Sequence, residues 1–299
     1  RIQRKEGGGS CHRASRHQLM AVNFMATKDN STLAPSGNEH VKQCCARLYE
    51  SDLTRFLLGD SFHPGGLEMT GRLGRMLGLS AASRVLDVAC GYGTTAIFLA
   101  KEFGCEVFGI DYGEQSVAAA RSLAQSEHVD ARVQFERGDA ETLPFPDGSF
   151  DAVICECAFC TFPNKAASAR EFFRVLRRGG HAGISDLTRE TVLPEELDGL
   201  LAWIACIGDA QTVEGYTHFL QDAGFSVGSI KQQNYALEEM VNQVRIKLLG
   251  AEIMTRLNKL QLPGLDLGAA KRMAGSAMAA VKRGQLGYAL ICATKPDSR

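Results

Sequence analysis

The residues best suited to chemistry surround a glycine-rich turn. Asp87 interrupts a short apolar run, and Gly91 and Gly93 follow it closely. An apolar helical pattern begins directly after the turn, so the segment predicts a buried strand, a tight turn and a helix start. Glycine lets the backbone approach a ligand, and the free N–H groups of a helix start can face a polar or anionic group. Many nucleotide-binding folds use such a turn, so its neighbours must identify the ligand.

Two further carboxylates follow predicted strands. Asp111 ends the strand predicted over 106–110, and Asp139 follows the strand predicted over 131–136. Asp111 lies about 20 residues beyond the turn, a spacing that suits a carboxylate accepting hydrogen bonds from two ribose hydroxyls. NAD is one ligand of this kind, but the turn lacks the full G-x-G-x-x-G pattern.

Cysteines form a second group. Cys155, Cys157 and Cys160 lie within six residues at the end of a predicted strand. Free cysteine is often only a small buried apolar residue, but three at one strand end favour a function. They could bind zinc, although this spacing lacks a clear second pair of ligands. The other candidate thiols are Cys206, in a later helical segment, and Cys44 and Cys45, in the leading helix.

Histidines that could act as a general base are candidates by residue type alone. His63, His181 and His218 belong to this group, and a structural or surface role is the simpler interpretation of each. His63 begins a turn, residues 63–66, that is expected to lie in front of the glycine turn and could line its mouth. His12 and His17 are expected to be solvated side chains of a tail.

Composition excludes several functions. The chain has 33 Lys and Arg against 34 Asp and Glu, a net charge of −1, which gives no basic surface for nucleic acid. No apolar stretch approaches the roughly 18 residues needed to span a membrane, and the first residues do not form a convincing signal peptide. A cytoplasmic protein with mostly reduced cysteines is therefore expected.

Strands and helices alternate through the centre of the chain. This alternation predicts a parallel sheet covered on both faces, with ligands bound outside the carboxyl ends of the strands. Gly179 and Gly180 are expected to end the last helix of this region. The predicted strands are 84–89, 106–110, 131–136, 150–155 and 181–185, and the helices are 94–103, 114–126 and 164–177.

The pattern changes after Asp186. Helices are predicted at 194–208, 213–223, 236–260 and 266–283, and strands at 224–230 and 287–294. These helices are too many for a simple connection, so they form either a lid over the strand ends or an additional packing layer.

We therefore expect a flexible tail over 1–40 and one domain over 41–299. Within the domain, helices over 41–80 precede a cofactor-binding core over 84–186. Helical substrate or lid segments are predicted over 187–223 and 235–284.

Four segments resemble the class I S-adenosylmethionine-dependent methyltransferases. They are residues 85–93, 109–112, 138–145 with 150–153, and 171–180, in the order and spacing of that family. The resemblance implies an α/β, Rossmann-like, doubly wound sheet of seven strands. The sheet would be mostly parallel, with an antiparallel last strand and a helical insert near the C-terminus. The implied cofactor is S-adenosyl-L-methionine.

The resemblance also implies site roles. Gly91 and Gly93 would pass under the methionine part of the cofactor, with Asp87 near its amino group. Asp111 would bind the ribose. Ala89 stands where the family usually has glycine. The remaining predicted cofactor-binding residues are Asp139 for the adenine amino group, Ala140 for its ring nitrogen, Tyr112 and Cys155.

A narrower resemblance is to the arsenite methyltransferases. Residues 153–165 and 174–180 match a segment of that subfamily, and Trp203 with Cys206 match a second one. Cys157 and Cys206 align with its two arsenic-binding thiols, and Cys44 or Cys45 could supply a third. Thiolates hold trivalent arsenic well, which makes a metalloid acceptor chemically sensible.

Other acceptors stay open. Residues 62–67 and 186–189 also resemble methyltransferases that act on small organic molecules. The alternatives are a small organic O, N, C or S acceptor, or a non-catalytic module that only binds the cofactor. A nucleic-acid acceptor is disfavoured because the chain lacks an Asn-Pro-Pro-Tyr-type base-binding segment. Oligomeric state is not indicated.

Overall fold

The computed structural model describes most of the chain from residue 35 onward. The described residues are 35–59, 61–193, 197, 206–257, 259 and 266–297. The chain divides into two compact units, Arg1–Glu39 and His40–Arg299, and the sites discussed below lie in the second. Residues 1–34 of the predicted tail, with His12 and His17, lie outside the described residues, and a helix already begins at Pro35.

The core follows the predicted alternation of strands and helices. The helices Thr94–Phe103 and Glu114–Ser126 have the bounds that the sequence pattern predicts. The helices are α1 (Pro35–Tyr49), α2 (Asp52–Leu58), α3 (Gly66–Met76), α4 (Thr94–Phe103), α5 (Glu114–Ser126), α6 (Lys165–Val175), α7 (Val213–Asp222), α8 (Asn234–Arg256) and α9 (Leu267–Lys282). The strands are β1 (Arg84–Val88), β2 (Glu106–Asp111), β3 (Val133–Arg137), β4 (Phe150–Glu156), β5 (Leu176–Arg189), β6 (Ser226–Gln232) and β7 (Leu286–Thr294).

Seven strands form one sheet in the order β3-β2-β1-β4-β5-β7-β6. Strands β1 to β5 pair in parallel, whereas β7 runs antiparallel between β5 and β6. This arrangement confirms the predicted α/β Rossmann-like sheet with an antiparallel last strand. Because neighbouring parallel strands end at one edge, the sheet brings the segments after β1, β2 and β4 together.

The packing around the glycine turn explains one of its two glycines. Gly93 adopts φ 79° and caps the start of α4. A Cβ at this position would lie 2.5 Å from a ring carbon of Phe135 and 2.9 Å from the Cβ of Ala120. Gly93 is therefore required for backbone conformation and for close packing between α4, α5 and β3.

Two sequence predictions near the centre of the chain need correction. The helix predicted over 164–177 ends at Val175, because Leu176 is already extended and begins β5. Gly179 and Gly180 lie inside β5, where a register shift against β4 and a φ of 70° at Gly179 indicate a local irregularity.

Most of the helix predicted over 194–208, with Trp203, lies outside the described residues. In the part of the chain described here, no helix is sufficiently long and apolar to span a membrane.

Candidate functional site

A cavity lies at the carboxyl ends of β1, β2 and β4. The sequence-predicted residues that line it are Ala89, Gly91, Asp111, Tyr112, Asp139, Ala140, Cys45 and Cys157.

Asp111 ties together the two loops that border this cavity. One carboxylate oxygen accepts a hydrogen bond from the Gly91 N–H at 2.9 Å, and the other accepts one from the Gly113 N–H at 2.8 Å. Burial raises the pKa of Asp111, while these two backbone hydrogen bonds act in the opposite direction. Asp111 thus fixes the glycine turn and still presents an acidic group to the cavity.

Ala89 occupies a strained backbone position in this turn. Its φ is 59°, in the left-handed region that disfavours a residue with a Cβ. We expect Ala89→Gly to raise the free energy of unfolding by about 0.5–1 kcal/mol, because relief of strain exceeds the entropy cost of glycine. Thermal unfolding should then show a midpoint about 1–3 °C higher.

The matched control for this prediction is Ala100→Gly inside helix α4. Ala100 is buried in a regular helix, so glycine there should lower stability by about 1 kcal/mol or more. A lower midpoint for Ala89→Gly as well would contradict the strain at Ala89.

Asp87 has an unusual environment for a carboxylate. It is 2% exposed, and one of its oxygens is buried without a hydrogen-bond partner. Burial, followed by the nearby charges of Glu156 and Asp111, raises the pKa of Asp87 well above its usual range. Asp87 lines a second, smaller cavity that adjoins the first, and a cationic group placed there would stabilise its charge.

Helix α1 contributes residues that the sequence did not single out. The Lys42 ammonium lies 2.7 Å from a carboxylate oxygen of Asp139 and 2.6 Å from one of Glu141. Glu50, just after α1, accepts hydrogen bonds from the N–H groups of Gln115 and Ser116 at the start of α5. These contacts hold the second half of α1 against the cavity, and no local sequence pattern identifies them.

Aromatic rings also border the cavity. Phe62 lies between Tyr49 and Tyr92, with ring-centroid distances of 6.0 and 5.6 Å. Such pairs stabilise an aromatic wall beside the glycine turn.

Cys157 and Cys206 come together beside the cavity. The sulfur of Cys206 lies 3.1 Å from the carbonyl oxygen of Cys157 and 3.0 Å from the hydroxyl of Tyr49. Both cysteines are buried, and both have a left-handed φ, 50° and 58°. Backbone strain of this kind is concentrated at functional sites in many proteins.

A third thiol joins this pair. Cys160 lies with Cys157 and Tyr49 around the sulfur of Cys206, whose thiol donates a hydrogen bond to the carbonyl oxygen of Cys157. Interactions with Cys157, then with Cys160 and Tyr49, lower the pKa of Cys206 well below its usual value. The pKa values of Cys157 and Cys160 are raised, so Cys206 is the most acidic thiol of the group.

Asp186 supports the same cluster. It accepts hydrogen bonds from the N–H groups of Cys160 and Leu187, both at 2.8 Å. Burial and then the nearby Cys206 raise the pKa of Asp186 to about 7. The cluster is therefore anchored to the carboxyl half of β5.

The other predicted cysteines are placed differently. Cys155 is fully buried in β4 and lines neither cavity. Cys44 is half-buried and lines neither cavity, whereas Cys45 lines the larger one and burial raises its pKa to about 11. Within the described ranges, no group of three or more His, Cys, Asp or Glu side chains is arranged to hold a metal ion.

The three candidate histidines lie in different parts of the fold. His63 is buried and lines the smaller cavity, as its turn position suggested. His181 faces Thr294 across β5 and β7 at 3.0 Å, and His218 lies on the exposed face of α7 beside Asp222. Neither of the last two lines either cavity.

Comparisons with known proteins agree with this geometry. The family model described as "Methyltransferase domain" matches residues 79–224. The chain is 31% identical over 171 residues to methyltransferase GfsG of Streptomyces halstedii, covering 56% of this chain and 62% of that protein. It is 29% identical over 263 residues to 27-O-demethylrifamycin SV methyltransferase of Amycolatopsis mediterranei, covering 83% and 94%.

A solved structure has the same fold. Phosphoethanolamine N-methyltransferase 2 of Haemonchus contortus, with phosphomonomethylethanolamine and S-adenosylhomocysteine, superposes with a TM-score of 0.70 at 19% identity. The superposition covers 89% of this chain and 61% of that one. The chain thus spans less than two thirds of that enzyme and of GfsG. Taken with the sheet order and the matched family model, these findings show that the chain contains a class I S-adenosylmethionine-dependent methyltransferase domain, an enzyme domain with S-adenosylmethionine as methyl donor.

Proposed function

We propose that the whole protein transfers a methyl group from S-adenosylmethionine to a small acceptor held on the Cys157 side of the larger cavity. The residues present suit the cofactor, because a buried acceptor atom of Asp87 without a partner can receive its amino group. Asp111 is assigned to the ribose, Asp139 to the adenine amino group and the N–H of Ala140 to its ring nitrogen. Tyr112 borders the same space.

The acceptor that the geometry supports best is trivalent arsenic bound by thiols. The observation that carries this assignment is that Cys206 packs directly against Cys157, which lines the cavity. A low pKa favours the thiolate of Cys206, which is the form that binds a thiophilic element. Two protein thiolates and one thiol from solution satisfy trivalent arsenic, so Cys44 and Cys45 are not required.

The proposed arsenic acceptor suits the chemistry of the cofactor. Bound S-adenosylmethionine supplies an activated methyl group, which a soft nucleophile with a free lone pair accepts without a general base. Catalysis then depends on holding the acceptor in place and excluding water. The aromatic wall of Tyr49, Phe62 and Tyr92 and the helix α1 that Lys42 anchors suit both tasks.

A small organic acceptor is the second candidate. It is favoured by the similarity to a rifamycin methyltransferase over 94% of that protein's length. His63 and Glu156 are buried in the wall of the smaller cavity and supply polar groups that an oxygen or nitrogen acceptor would use. In this case the cysteine cluster is only part of the core.

An acceptor panel distinguishes these candidates. We expect release of S-adenosylhomocysteine with arsenite plus a thiol, and no release above background with small alcohols, phenols, amines or thiols alone. Turnover confined to an organic acceptor would favour the second candidate. Cofactor binding in calorimetry with no turnover on the panel would favour a module that binds the cofactor without catalysis.

A further inference from the structure

Helix α8 (Asn234–Arg256) carries apolar residues on two opposite faces. One face packs against α2, α9 and β7. The buried residues of α8 are Ala236, Leu237, Leu248 and Ala251. The opposite face carries Ile246, Leu249 and Ile253, with Leu257 directly after the helix, and each of these four residues is 52% to 59% exposed. Single exposed apolar residues are ordinary, but four on one helix face form a patch that marks an interaction site.

The spacing of this exposed face suits a second helix. Ile246, Leu249 and Ile253 are three and four residues apart, which is the spacing of the seam between two paired helices. Gly250 lies among them, and a Cβ added to this glycine would meet no atom within 4 Å. Because Gly250 has no side chain, the backbone of a partner helix can approach α8 closely at this point.

Charge changes sign along the same face. Glu238 and Glu239 are exposed near its N-terminal end, whereas Arg256 and Lys259 are exposed at its C-terminal end. Two copies of α8 that pair antiparallel place the acidic end of each copy beside the basic end of the other, but parallel pairing places like charges together. The acidic end also disfavours a membrane surface, which is anionic. The face is therefore complementary to a second copy of itself.

We propose that this face of α8 is the interface of a homodimer, in which two α8 helices pair antiparallel about a two-fold axis at Leu249. Leu249 of one copy then contacts Leu249 of the other, and Ile246 contacts Ile253. Glu239 and Lys259 are each ten residues from Leu249, so they come to about the same level on opposite copies. No residue of α8 lines either cavity, so the dimer does not depend on which acceptor is methylated.

Light scattering of the full chain over a range of concentrations measures this association. At about 10 µM the wild-type chain should have the mass of two chains. Leu249→Glu places two like charges at the axis and should weaken the dimer by at least about 100-fold, and Ile253→Glu should do the same. Both positions are exposed, so each variant should fold and bind S-adenosylmethionine within about twofold of the wild type.

Val192→Glu is the matched control for these two variants. Val192 is also an exposed aliphatic residue, but it lies outside α8. This variant should dimerise as the wild type does. A wild-type affinity of association in both Leu249→Glu and Ile253→Glu would show that any dimer forms through another surface, and would overturn the proposal.

Cysteine crosslinking tests the orientation of the two helices. Leu249→Cys should crosslink two copies under mild oxidation well above the level of the wild-type chain, because the copies meet at this position. Glu239→Cys should stay at the wild-type level, because ten residues on each side of the axis separate the two copies by about 30 Å. Efficient crosslinking of both variants would indicate a parallel pair and overturn the antiparallel arrangement.

A charge exchange tests the contact between the two ends. Glu239→Lys should weaken the dimer by about threefold or more, and adding Lys259→Glu to it should restore most of the association. A wild-type chain that stays monomeric at about 100 µM would overturn the proposal. Binding of that monomer to vesicles of phosphatidylcholine and phosphatidylglycerol, abolished by Leu249→Glu, would instead assign the face to a lipid surface.

Discussion

Asp111→Ala is expected to weaken the binding of S-adenosylmethionine by at least about 100-fold. The substitution removes the proposed ribose acceptor and leaves the N–H groups of Gly91 and Gly113 without the oxygens that they now contact. Hydrogen bonds to a charged group each contribute about 1.5–3 kcal/mol, so the loss of the two proposed hydrogen bonds to the ribose costs about 3 kcal/mol of binding free energy or more. Calorimetry with the cofactor measures this change directly.

Two further variants serve as comparisons for the loss of affinity in Asp111→Ala. Asp111→Asn keeps one carbonyl oxygen and should lose less affinity than Asp111→Ala. Asp130→Ala removes an exposed carboxylate from the turn before β3 and should leave affinity unchanged. Wild-type affinity in a folded Asp111→Ala protein would show that the ribose binds elsewhere.

Cys157→Ser and Cys206→Ser should each reduce methylation of arsenite by more than about 100-fold. A serine hydroxyl is a poor ligand for a thiophilic element, whereas its size is close to that of the thiol. Affinity for S-adenosylmethionine should stay within about twofold of the wild type, because neither thiol belongs to the proposed cofactor contacts. The measurements are release of S-adenosylhomocysteine with arsenite plus thiol, and calorimetry with the cofactor alone.

Cys105→Ser is the matched control for these variants. Cys105 is also fully buried, but its thiol donates to the carbonyl of Leu99 at 3.4 Å, outside both cavities. It should retain arsenite methylation. Full activity in both Cys157→Ser and Cys206→Ser would overturn the arsenic acceptor, and turnover of an organic acceptor in them would favour the second candidate.

The sheet and the cavity residues on its edge were predictable because the pattern there is local. A strand, a glycine turn and a helix start occur within about 20 residues, and the carboxyl ends of parallel strands must meet at one edge. Asp111 and Asp139 follow from that rule, whereas Ala140 was implied by the resemblance to the methyltransferase family. The position of His63 in a turn predicted only that it could line the cavity. Its contact with Glu156 is visible only in the tertiary structure.

The rest of the site depends on contacts between distant segments. Lys42 reaches Asp139 across 97 positions, and no periodicity in α1 indicates which of its residues faces the sheet edge. Cys155 and Cys157 have the same strand parity, yet only Cys157 lines the cavity. Strand β4 ends at Glu156, and the left-handed backbone of Cys157 redirects its side chain. Cys160 joins the thiol cluster because a short 3₁₀ turn, Phe159–Thr161, follows directly.

The position of β7 has a consequence for synthesis of the protein. Strand β7 follows β6 in the chain but lies between β5 and β6, so β6 has no sheet partner until β7 is present. While the chain emerges from the ribosome, β5 exposes a long unpaired edge whose residues from Ala182 to Thr188 are buried in the complete fold. Such an edge invites pairing with other chains. Completion of the sheet must therefore await the last strand, and a nascent chain shortened before Leu286 is expected to require chaperones and to aggregate without them.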